Sequence, residues 1–294
     1  MKQRTLNTYL REKYGKKLYK VSINAGFTCP NRDGTLSGRG CIFCSGSGSG
    51  DFAEDPSLSV TEQIERGKRR IASKLPNGPI GLIAYFQAYT NTYAPVETLR
   101  KVFTEAIAHP EVEILSVATR PDCLGEDVLS LLSELNEQKP VWVELGLQTI
   151  HEKSAAYIRR GYPLPVYDKA VTDLKARGLE TIVHVILGLP GETEEEMLDT
   201  VRYVGESGVE GIKLQLLHVL RGTDLADEYL AGKFQCLSLE AYLDLLKKAL
   251  DVLPPSIVIH RMTGDGDKKL LIAPEWSRDK KKVLNRIYGP GGFS

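Results

Sequence analysis

The sequence predicts an α/β fold, a partial (β/α)6 barrel of the TIM type, from two observations. Between Val21 and Leu217, six apolar runs of strand length are each followed by a segment of helical pattern. Alternating strands and helices indicate βαβ units and a parallel sheet. No glycine-rich dinucleotide fingerprint accompanies the strands, and six units are too many for a small doubly wound domain. A barrel fits better, and barrels collect functional residues at the carboxyl ends of their strands.

The elements follow from the apolar pattern in chain order. Strands are predicted at residues 20–24, 80–87, 112–119, 141–148, 181–187 and 212–217, with one more candidate at 256–260. Helices are predicted at residues 60–74, 96–108, 127–138, 151–160, 166–177, 193–207 and 276–288, with further helices ending near residue 253. Thr193 is the expected N-cap of its helix, because Glu196 lies at capping-box spacing.

The chain is expected to divide into three parts. Residues 1–17 form a basic N-terminal segment, residues 18–253 the barrel, and residues 254–294 an extension that closes or flanks the barrel mouth. The composition, 42% hydrophobic and 26% charged, is that of a soluble globular protein. No apolar run approaches the roughly 20 residues that span a bilayer, and no signal peptide is apparent. We therefore expect a cytoplasmic protein with no membrane partner.

Three of the five cysteines lie in one loop directly after the first predicted strand. Cys41 and Cys44 form a C-x2-C pair, and Cys29 precedes the pair by a glycine- and asparagine-containing stretch. A closed zinc site or an electron-transfer iron–sulfur site usually takes four protein ligands, and no histidine lies nearby. Three thiols alone indicate a cluster with one coordination position open for a ligand. Cys123 and Cys236 are most simply buried thiols.

The net charge is zero, but the basic residues cluster. Seven lie within residues 1–20, a second group comprises Arg66, Lys68, Arg69, Arg70 and Lys74, and a third comprises Arg278, Lys280, Lys281, Lys282 and Arg286. Such clusters either contact nucleic-acid phosphates or are solvated helix faces, and the sequence leaves both alternatives open.

The cysteine loop, at the end of the first strand of a βα series, resembles that of radical S-adenosylmethionine (radical SAM) enzymes. The common spacing in that superfamily is C-x3-C-x2-C, and the first gap here is longer. A long gap resembles the branch of the elongator catalytic subunit. Segments 26–34 (Gly-Phe-Thr-Cys-Pro-Asn-Arg-Asp-Gly), 119–122 (Thr-Arg-Pro-Asp) and 144–148 (Glu-Leu-Gly-Leu-Gln) resemble the YhcC/YtqA-like, MnmL-type group.

The resemblance implies two cofactors and a set of residues that bind them. Cys29, Cys41 and Cys44 would hold three irons of a [4Fe-4S] cluster, and S-adenosylmethionine would chelate the fourth. One electron would then cleave the cofactor to a 5′-deoxyadenosyl radical. The implied contacts to S-adenosylmethionine are Phe43 to the adenine, Gln87 at the position that binds the methionyl amine, Gln148, Arg160 to the carboxylate, and His184 to a ribose hydroxyl.

The resemblance also implies a substrate, the wobble uridine of tRNA. The 5-carboxymethylaminomethyl group of this base, often 2-thiolated, would become 5-aminomethyl. The basic clusters would contact the tRNA, and an external donor such as flavodoxin or ferredoxin would supply the electron. Cys123 is a candidate catalytic residue on the substrate side. Four further residues could face the substrate: His218, Arg221, Arg261 and Asp265.

Three alternatives stay open at this point. A radical SAM enzyme could act on a small molecule or a peptide. A non-catalytic iron–sulfur electron carrier or sensor would need Cys123 or Cys236 as a fourth ligand. A structural zinc module could bind RNA.

Overall fold

The fold is built on a curled sheet of parallel strands. The computed structural model describes residues 4–48, 50, 53–74, 80–264, 266–289 and 292–293. Seven of its strands form the sheet, in the order β1-β2-β3-β4-β5-β6-β8, and the other two pair antiparallel as β7-β9. The strands are β1 (Leu18–Ile23), β2 (Gly81–Phe86), β3 (Val112–Thr119), β4 (Val141–Gln148), β5 (Glu180–Leu187), β6 (Gly211–Leu216), β7 (Val219–Leu220), β8 (Val258–Arg261) and β9 (Leu271–Ala273).

Helices connect the strands and cover the outer face of the sheet. They are α1 (Leu6–Tyr14), α2 (Val60–Arg70), α3 (Val96–Ala108), α4 (Glu126–Asn136), α5 (Glu152–Tyr157), α6 (Leu164–Ala176), α7 (Glu194–Glu206), α8 (Asp224–Leu230), α9 (Leu239–Val252) and α10 (Lys280–Tyr288). The capping box of α7 is confirmed, because Thr193 Oγ1 accepts from the Glu196 amide and Glu196 accepts from the Thr193 amide. α2 packs closely on β1, where a Cβ on Gly67 would lie 2.3 Å from Val21.

The predicted α/β partial barrel is confirmed, and its sheet gains a seventh strand. All six predicted strands are present within two residues of their expected ends. The further candidate at 256–260 is β8, whose Val258 lies in register with Gly211 of β6. The signal for β8 was weak because the strand is short and ends in His260 and Arg261. The three-part division of the chain stays a prediction.

The inward-facing side chains form layers, because alternate residues of each strand point into the barrel. The lowest layer is apolar and lies near the start of the strands: Leu18, Ile83, Ile114, Trp142 and Ile182. Leu10 of α1 packs into the same cluster, and Thr5 bridges to Ile259 of β8. The N-terminal helix therefore closes the end of the barrel that is remote from the carboxyl ends of the strands.

The next layer up is polar. On each of β1 to β5, the residue two positions after the residue of the apolar layer has a polar or charged side chain. β6 contributes a sixth such residue. We call this set the charged layer: Lys20, Tyr85, Ser116, Glu144, His184 and Lys213. Two positions further along, the strands reach the open end of the barrel with Gln87, Ala118, Gly146, Ile186 and Gln215. The barrel thus passes from an apolar floor through a layer of charge to an open cavity.

Candidate active site

A cavity opens at the carboxyl ends of the strands, as expected for a barrel of this kind. Its volume is about 1540 Å³, counting space open to solvent. Eight residues singled out in the sequence line it together: Cys29, Cys41, Cys44, Phe43, Gln87, Gln148, Arg160 and His184. The fold therefore gathers residues spread over 156 positions of the chain, from 29 to 184, around one space.

Two side chains organise the cysteine loop. Arg32 donates to the carbonyl oxygens of Cys44 at 2.9 Å and Ser45 at 2.6 Å. Asn31 is buried, and its amide donates to the Arg159 carbonyl at 2.7 Å and lies 3.4 Å from the Cys41 sulfur. Gly40 adopts φ = 73°, and a Cβ there would lie 3.0 Å from the Arg32 side chain. The loop is held from within and against the turn after α5.

The surroundings of Cys41 favour its thiolate, the form that binds metals. A hydrogen bond with Cys44 lowers the pKa of the Cys41 thiol to about 6, against the opposing effect of burial. Asn31 and two cations, Arg120 and Arg32, act in the same direction. The same hydrogen bond, together with burial, raises the pKa of Cys44. Three soft sulfur donors with cations beside them fit an iron–sulfur cluster.

The two other cysteines do not join this group. Neither Cys123 nor Cys236 is among the described residues that line the cavity. Burial raises the pKa of the Cys123 thiol to about 12 and that of Cys236 to about 11, so both stay protonated near neutral pH. The Cys123 carbonyl accepts a hydrogen bond from the Thr92 hydroxyl at 2.5 Å. Neither of the two cysteines that could supply a fourth cluster ligand is therefore among the described lining residues. A catalytic role for Cys123 stays a prediction.

Gln148 ends β4 in an unusual backbone conformation. Its φ is +67°, and the register with β5 shifts between Gly146 and Gln148. With its amide nitrogen turned inward, the side chain donates to the Gly146 and Leu147 carbonyl oxygens, both at 2.8 Å. A Cβ on Gly146 would lie 2.8 Å from the other terminal atom of the Gln148 side-chain amide, which is the oxygen in this orientation. The glycine is required where the side chain folds back, and backbone strain of this kind is typical of functional sites.

Arg160 lies beneath the cavity and is only 2% exposed. Its guanidinium donates to the carbonyl oxygens of Thr149 at 2.6 Å and Tyr162 at 3.0 Å, and pairs with Glu152 at 3.0 Å. A guanidinium has five N–H donors, so these bonds fix its orientation and leave donors for a ligand.

Glu144 in the charged layer was not assigned a role from the sequence. It is fully buried and accepts four hydrogen bonds: from Lys20 at 2.8 Å, Ser116 at 2.7 Å, His184 at 2.7 Å, and Lys213. Burial alone would raise the pKa of Glu144, but Lys20 and Lys213 hold it well below its usual range. Burial and Lys213 lower the pKa of His184 to about 4, so its imidazole is neutral near neutral pH.

A sequence signal for the charged layer existed. Glu144 and Lys213 each interrupt an otherwise apolar strand, and buried charges require partners. What the sequence lacked was the pairing, because Glu144 and Lys213 are on different strands. Arg120 was given no role either, because its contact with the Arg160 carbonyl forms only in the tertiary structure. It forms a two-pronged pair with Asp122, at 2.9 and 2.7 Å, and donates to the Arg160 carbonyl at 2.8 Å.

The residues expected to face the substrate divide into three cases. His218 and Arg261 line the cavity, whereas Arg221 is exposed beside β7. Asp265 lies outside the described residues. Gly264 and Gly266 wrap the His218 ring so closely that a Cβ on either would come within 2.8 Å of it. The segment after β8 therefore forms one wall of the cavity.

Comparison with known proteins defines the class. The profile of the Radical SAM superfamily matches residues 27–204, and that of the Radical SAM C-terminal domain matches residues 209–289. The chain belongs to the radical SAM superfamily and is an enzyme. Within it, the chain belongs to the YhcC/YtqA group. YtqA of Bacillus subtilis is 46% identical, covering 96% of this chain and 87% of its own length. YhcC of Escherichia coli is 38% identical, covering 92% and 86%.

More distant relatives come from the elongator branch. The tRNA uridine(34) acetyltransferase of Methanocaldococcus jannaschii is 26% identical over 51% of this chain and 28% of its own length. The solved structure of Methanocaldococcus infernus Elp3 superposes with a TM-score of 0.64 at 18% identity, covering 87% of this chain and 58% of that one. Superfamily membership brings two cofactors, a [4Fe-4S] cluster and S-adenosylmethionine. Among the described helices, none is long and apolar enough to cross a membrane.

Proposed function

We propose that this radical SAM enzyme modifies the wobble uridine of tRNA and converts its 5-carboxymethylaminomethyl group, with or without 2-thiolation, to 5-aminomethyl. The observation that carries the proposal is the match, over half of the chain, to acetyltransferases that act on tRNA uridine(34). The open cavity agrees with it, because a base in an RNA loop is easily extruded into a deep pocket.

In this proposal, Cys29, Cys41 and Cys44 hold the cluster. When bound, the cluster and S-adenosylmethionine would supply radical chemistry, that is, abstraction of a hydrogen atom from the substrate. Arg160, fixed by its bonds to the backbone, offers its remaining donors to the cofactor carboxylate.

Four further residues complete the cofactor site in this proposal. Gln148, at the end of β4, and Gln87, directly after β2, both line the cavity. Neutral His184 is suited to a ribose hydroxyl, and Phe43 to the adenine ring. The enclosing barrel wall keeps water away from the reacting atoms.

The distribution of cations favours one surface for tRNA. Many cations of the N-terminal and α2 clusters are paired with acids: Lys13 with Glu180 at 2.5 Å, Lys16 with Glu113 at 2.6 Å, and Lys68 with Glu111. At the cavity mouth, by contrast, three exposed cations form no ion pair with a described acid. We call Arg221, Lys268 and Lys269 the mouth-rim cations. They adjoin the lining residues Leu220 and Gly266, and Arg221 donates its amide to Leu270 at 2.7 Å.

The decisive experiment is anaerobic incubation of the reconstituted enzyme with S-adenosylmethionine, dithionite and tRNA from cells that lack the activity. Nucleoside mass analysis should show loss of 5-carboxymethylaminomethyl-uridine and an equal gain of the 5-aminomethyl form. Flavodoxin or ferredoxin can then replace dithionite, since radical SAM chemistry needs a reductant. Cleavage of S-adenosylmethionine that is indifferent to tRNA, with unchanged nucleosides, would reject the tRNA substrate in favour of a small molecule or peptide.

A binding experiment tests the docking surface. Changing all three mouth-rim cations to Gln should weaken tRNA binding and lower the slope of log affinity against log salt by about 2, because each phosphate contact contributes roughly 0.7 to 0.9. The matched control changes three exposed cations on outer helices, Arg66, Arg69 and Lys101, to Gln. Equal weakening in both variants would show that only net charge matters. Unaltered binding in the mouth-rim variant would exclude that surface.

A further inference from the structure

Four arginines line the cavity, and three of them already have partners in the protein. Arg32 is committed to two loop carbonyls, at 2.9 and 2.6 Å. Arg120 forms its two-pronged pair with Asp122. Arg160 bonds two carbonyls and Glu152. These three guanidiniums shape the site from beneath.

Arg261 is the exception. It lines the cavity from the end of β8, in register with Lys213 of β6. It forms no side-chain hydrogen bond or ion pair with any residue in the described part of the chain. Because an arginine side chain in a cavity wall gives up part of its hydration, a guanidinium without a partner there is poised for a ligand.

The protein offers Arg261 no free carboxylate among the described lining residues. The sole acid there is Glu144, and its two oxygens already accept from Lys20, Ser116, His184 and Lys213. Burial lowers the pKa of Lys213 well below its usual range, but Lys20 and Arg261 alone outnumber the single carboxylate among the described interior residues. This excess of positive charge favours a ligand that brings an anionic group.

We propose that Arg261 binds the carboxylate of the substrate, the group carried by the 5-carboxymethylaminomethyl side chain of the wobble uridine. This inference rests on the proposed function. The planar guanidinium matches a carboxylate through two parallel hydrogen bonds, which fix its direction as well as its position. Arg261 would thereby hold the carbon next to that carboxylate in one place in the cavity.

The position of Arg261 separates it from the cysteine loop and from Arg160. The cysteine loop follows β1, at one edge of the sheet, whereas β8 forms the other edge. The carboxylate partner proposed for the cofactor, Arg160, follows β4 and α5. An anion bound to Arg261 therefore lies at the side of the cavity that is remote from the cysteine loop, beside the segment that contains Gly264 and Gly266.

The test is binding of two free nucleosides to the holoenzyme by calorimetry. 5-Carboxymethylaminomethyl-uridine and 5-methylaminomethyl-uridine both carry the secondary amine and differ in the carboxylate. The wild type should prefer the carboxylate form about 10- to 100-fold, as expected for a charge-assisted hydrogen-bonded pair. Arg261→Gln should bring that ratio to about one, and Arg261→Lys should retain part of it. Arg11→Gln, an exposed and remote arginine, is the matched control and should keep the full preference.

The inference is overturned if Arg261→Gln keeps the nucleoside preference. If that variant also loses affinity for S-adenosylmethionine, Arg261 belongs to the cofactor site instead. Iminodiacetate, a small dicarboxylate probe with the same secondary amine, distinguishes failure of the anion site from failure of the uridine substrate. If wild type discriminates neither nucleoside but binds iminodiacetate in an Arg261-dependent manner, the anion site stands and the uridine substrate fails. If it binds no probe, the anion site fails, whatever the tRNA assay shows. Unchanged circular dichroism and iron content establish that the variants are folded.

Discussion

The cysteine loop and the charged layer lie within one barrel but are encoded in opposite ways. The loop carries its three thiols within sixteen residues, from Cys29 to Cys44, and its stabilising side chains, Asn31 and Arg32, lie inside the same stretch. The charged layer takes one residue from each of six strands, and the hydrogen-bond partners of Glu144 among the described residues all lie more than 20 positions away along the chain. The loop contributes functional groups to the site, whereas the charged layer is part of the barrel interior. Changes in the loop should abolish function and spare stability, whereas changes that break the ion pairs of the layer should lower the stability of the barrel.

Loss of a loop thiol should give the largest effect. Cys44→Ser removes one of three cluster ligands, so iron per reconstituted chain should fall from about four to near zero. The unfolding midpoint of the cluster-free protein in urea should barely move, because the loop contributes little to the core. Cys123→Ser and Cys236→Ser are the controls and should retain iron. Loss of iron in the Cys123 variant would mean that the cluster has a fourth protein ligand.

Breaking the charged layer should be the next largest effect, and it should appear in stability. Glu144→Gln leaves Lys213, only 2% exposed, without its anion, which should cost about 3–5 kcal/mol of unfolding free energy. Urea titration of the cluster-free protein measures it. The double variant Glu144→Gln/Lys213→Met removes the stranded cation and should recover much of the loss. A single variant as stable as wild type would contradict the idea that this layer holds the barrel together.

The pH dependence of stability sharpens the same contrast. The folded pKa of His184, about 4, lies below its unfolded value of about 6.5. Between these values the unfolded state binds more protons, so His184 contributes a penalty that is absent above pH 6.5 and grows as the pH falls toward 4. The full penalty is on the order of 3 kcal/mol. His184→Gln should flatten stability against pH in that window relative to wild type, and equal slopes would show that His184 does not titrate as a buried group.

The smallest effect is expected at a local feature outside both regions. Thr193→Ala removes the capping-box hydroxyl of α7, an exposed helix start, and should cost about 1 kcal/mol. Chemical denaturation measures the loss, and Thr193→Ser, which keeps the hydroxyl, should restore most of it. Iron content and cofactor binding should be unchanged in both. A loss above about 3 kcal/mol would mean that α7 depends on this cap far more than its packed inner face suggests.

Local patterns predicted the elements well. The strands at 112–119 and 141–148 and the helix at 96–108 agree residue for residue with β3, β4 and α3, because long apolar runs and regular amphipathic periods are unambiguous. β8 was harder to predict, since half of its four residues are His260 and Arg261. Arg261 is accommodated because it lines the cavity, and His260 because its ring packs against Trp142, with 5.1 Å between the ring centroids.

The candidate site was predictable only in part. The thiols, Phe43, Gln148 and Arg160 followed from motif and resemblance, and the structure places them around one cavity. Lys213 carried no motif, and Arg120 lay within the 119–122 motif but was given no role. Arg261 stood among several candidates, and nothing in the sequence distinguished it from Arg221. Arg261 differs because the guanidiniums of the other three arginines already have partners, and because the oxygens of Glu144 already accept hydrogen bonds from other residues.

The sequence by itself determined the order of strands and helices, the three-thiol loop at the end of the first strand, and through them the superfamily. These are local properties, since apolar periodicity, capping and ligand spacing act over a few turns of chain. The tertiary structure decided which charges meet. Pairing of Glu144 with Lys20 and Lys213 joins strands far apart in the chain, and the price of burying a charge depends on the partners that the fold brings to it. The cysteine loop identifies the cofactor chemistry of the superfamily. The barrel interior, with Arg261 unpaired among the described residues, is the basis for the proposed carboxylate site.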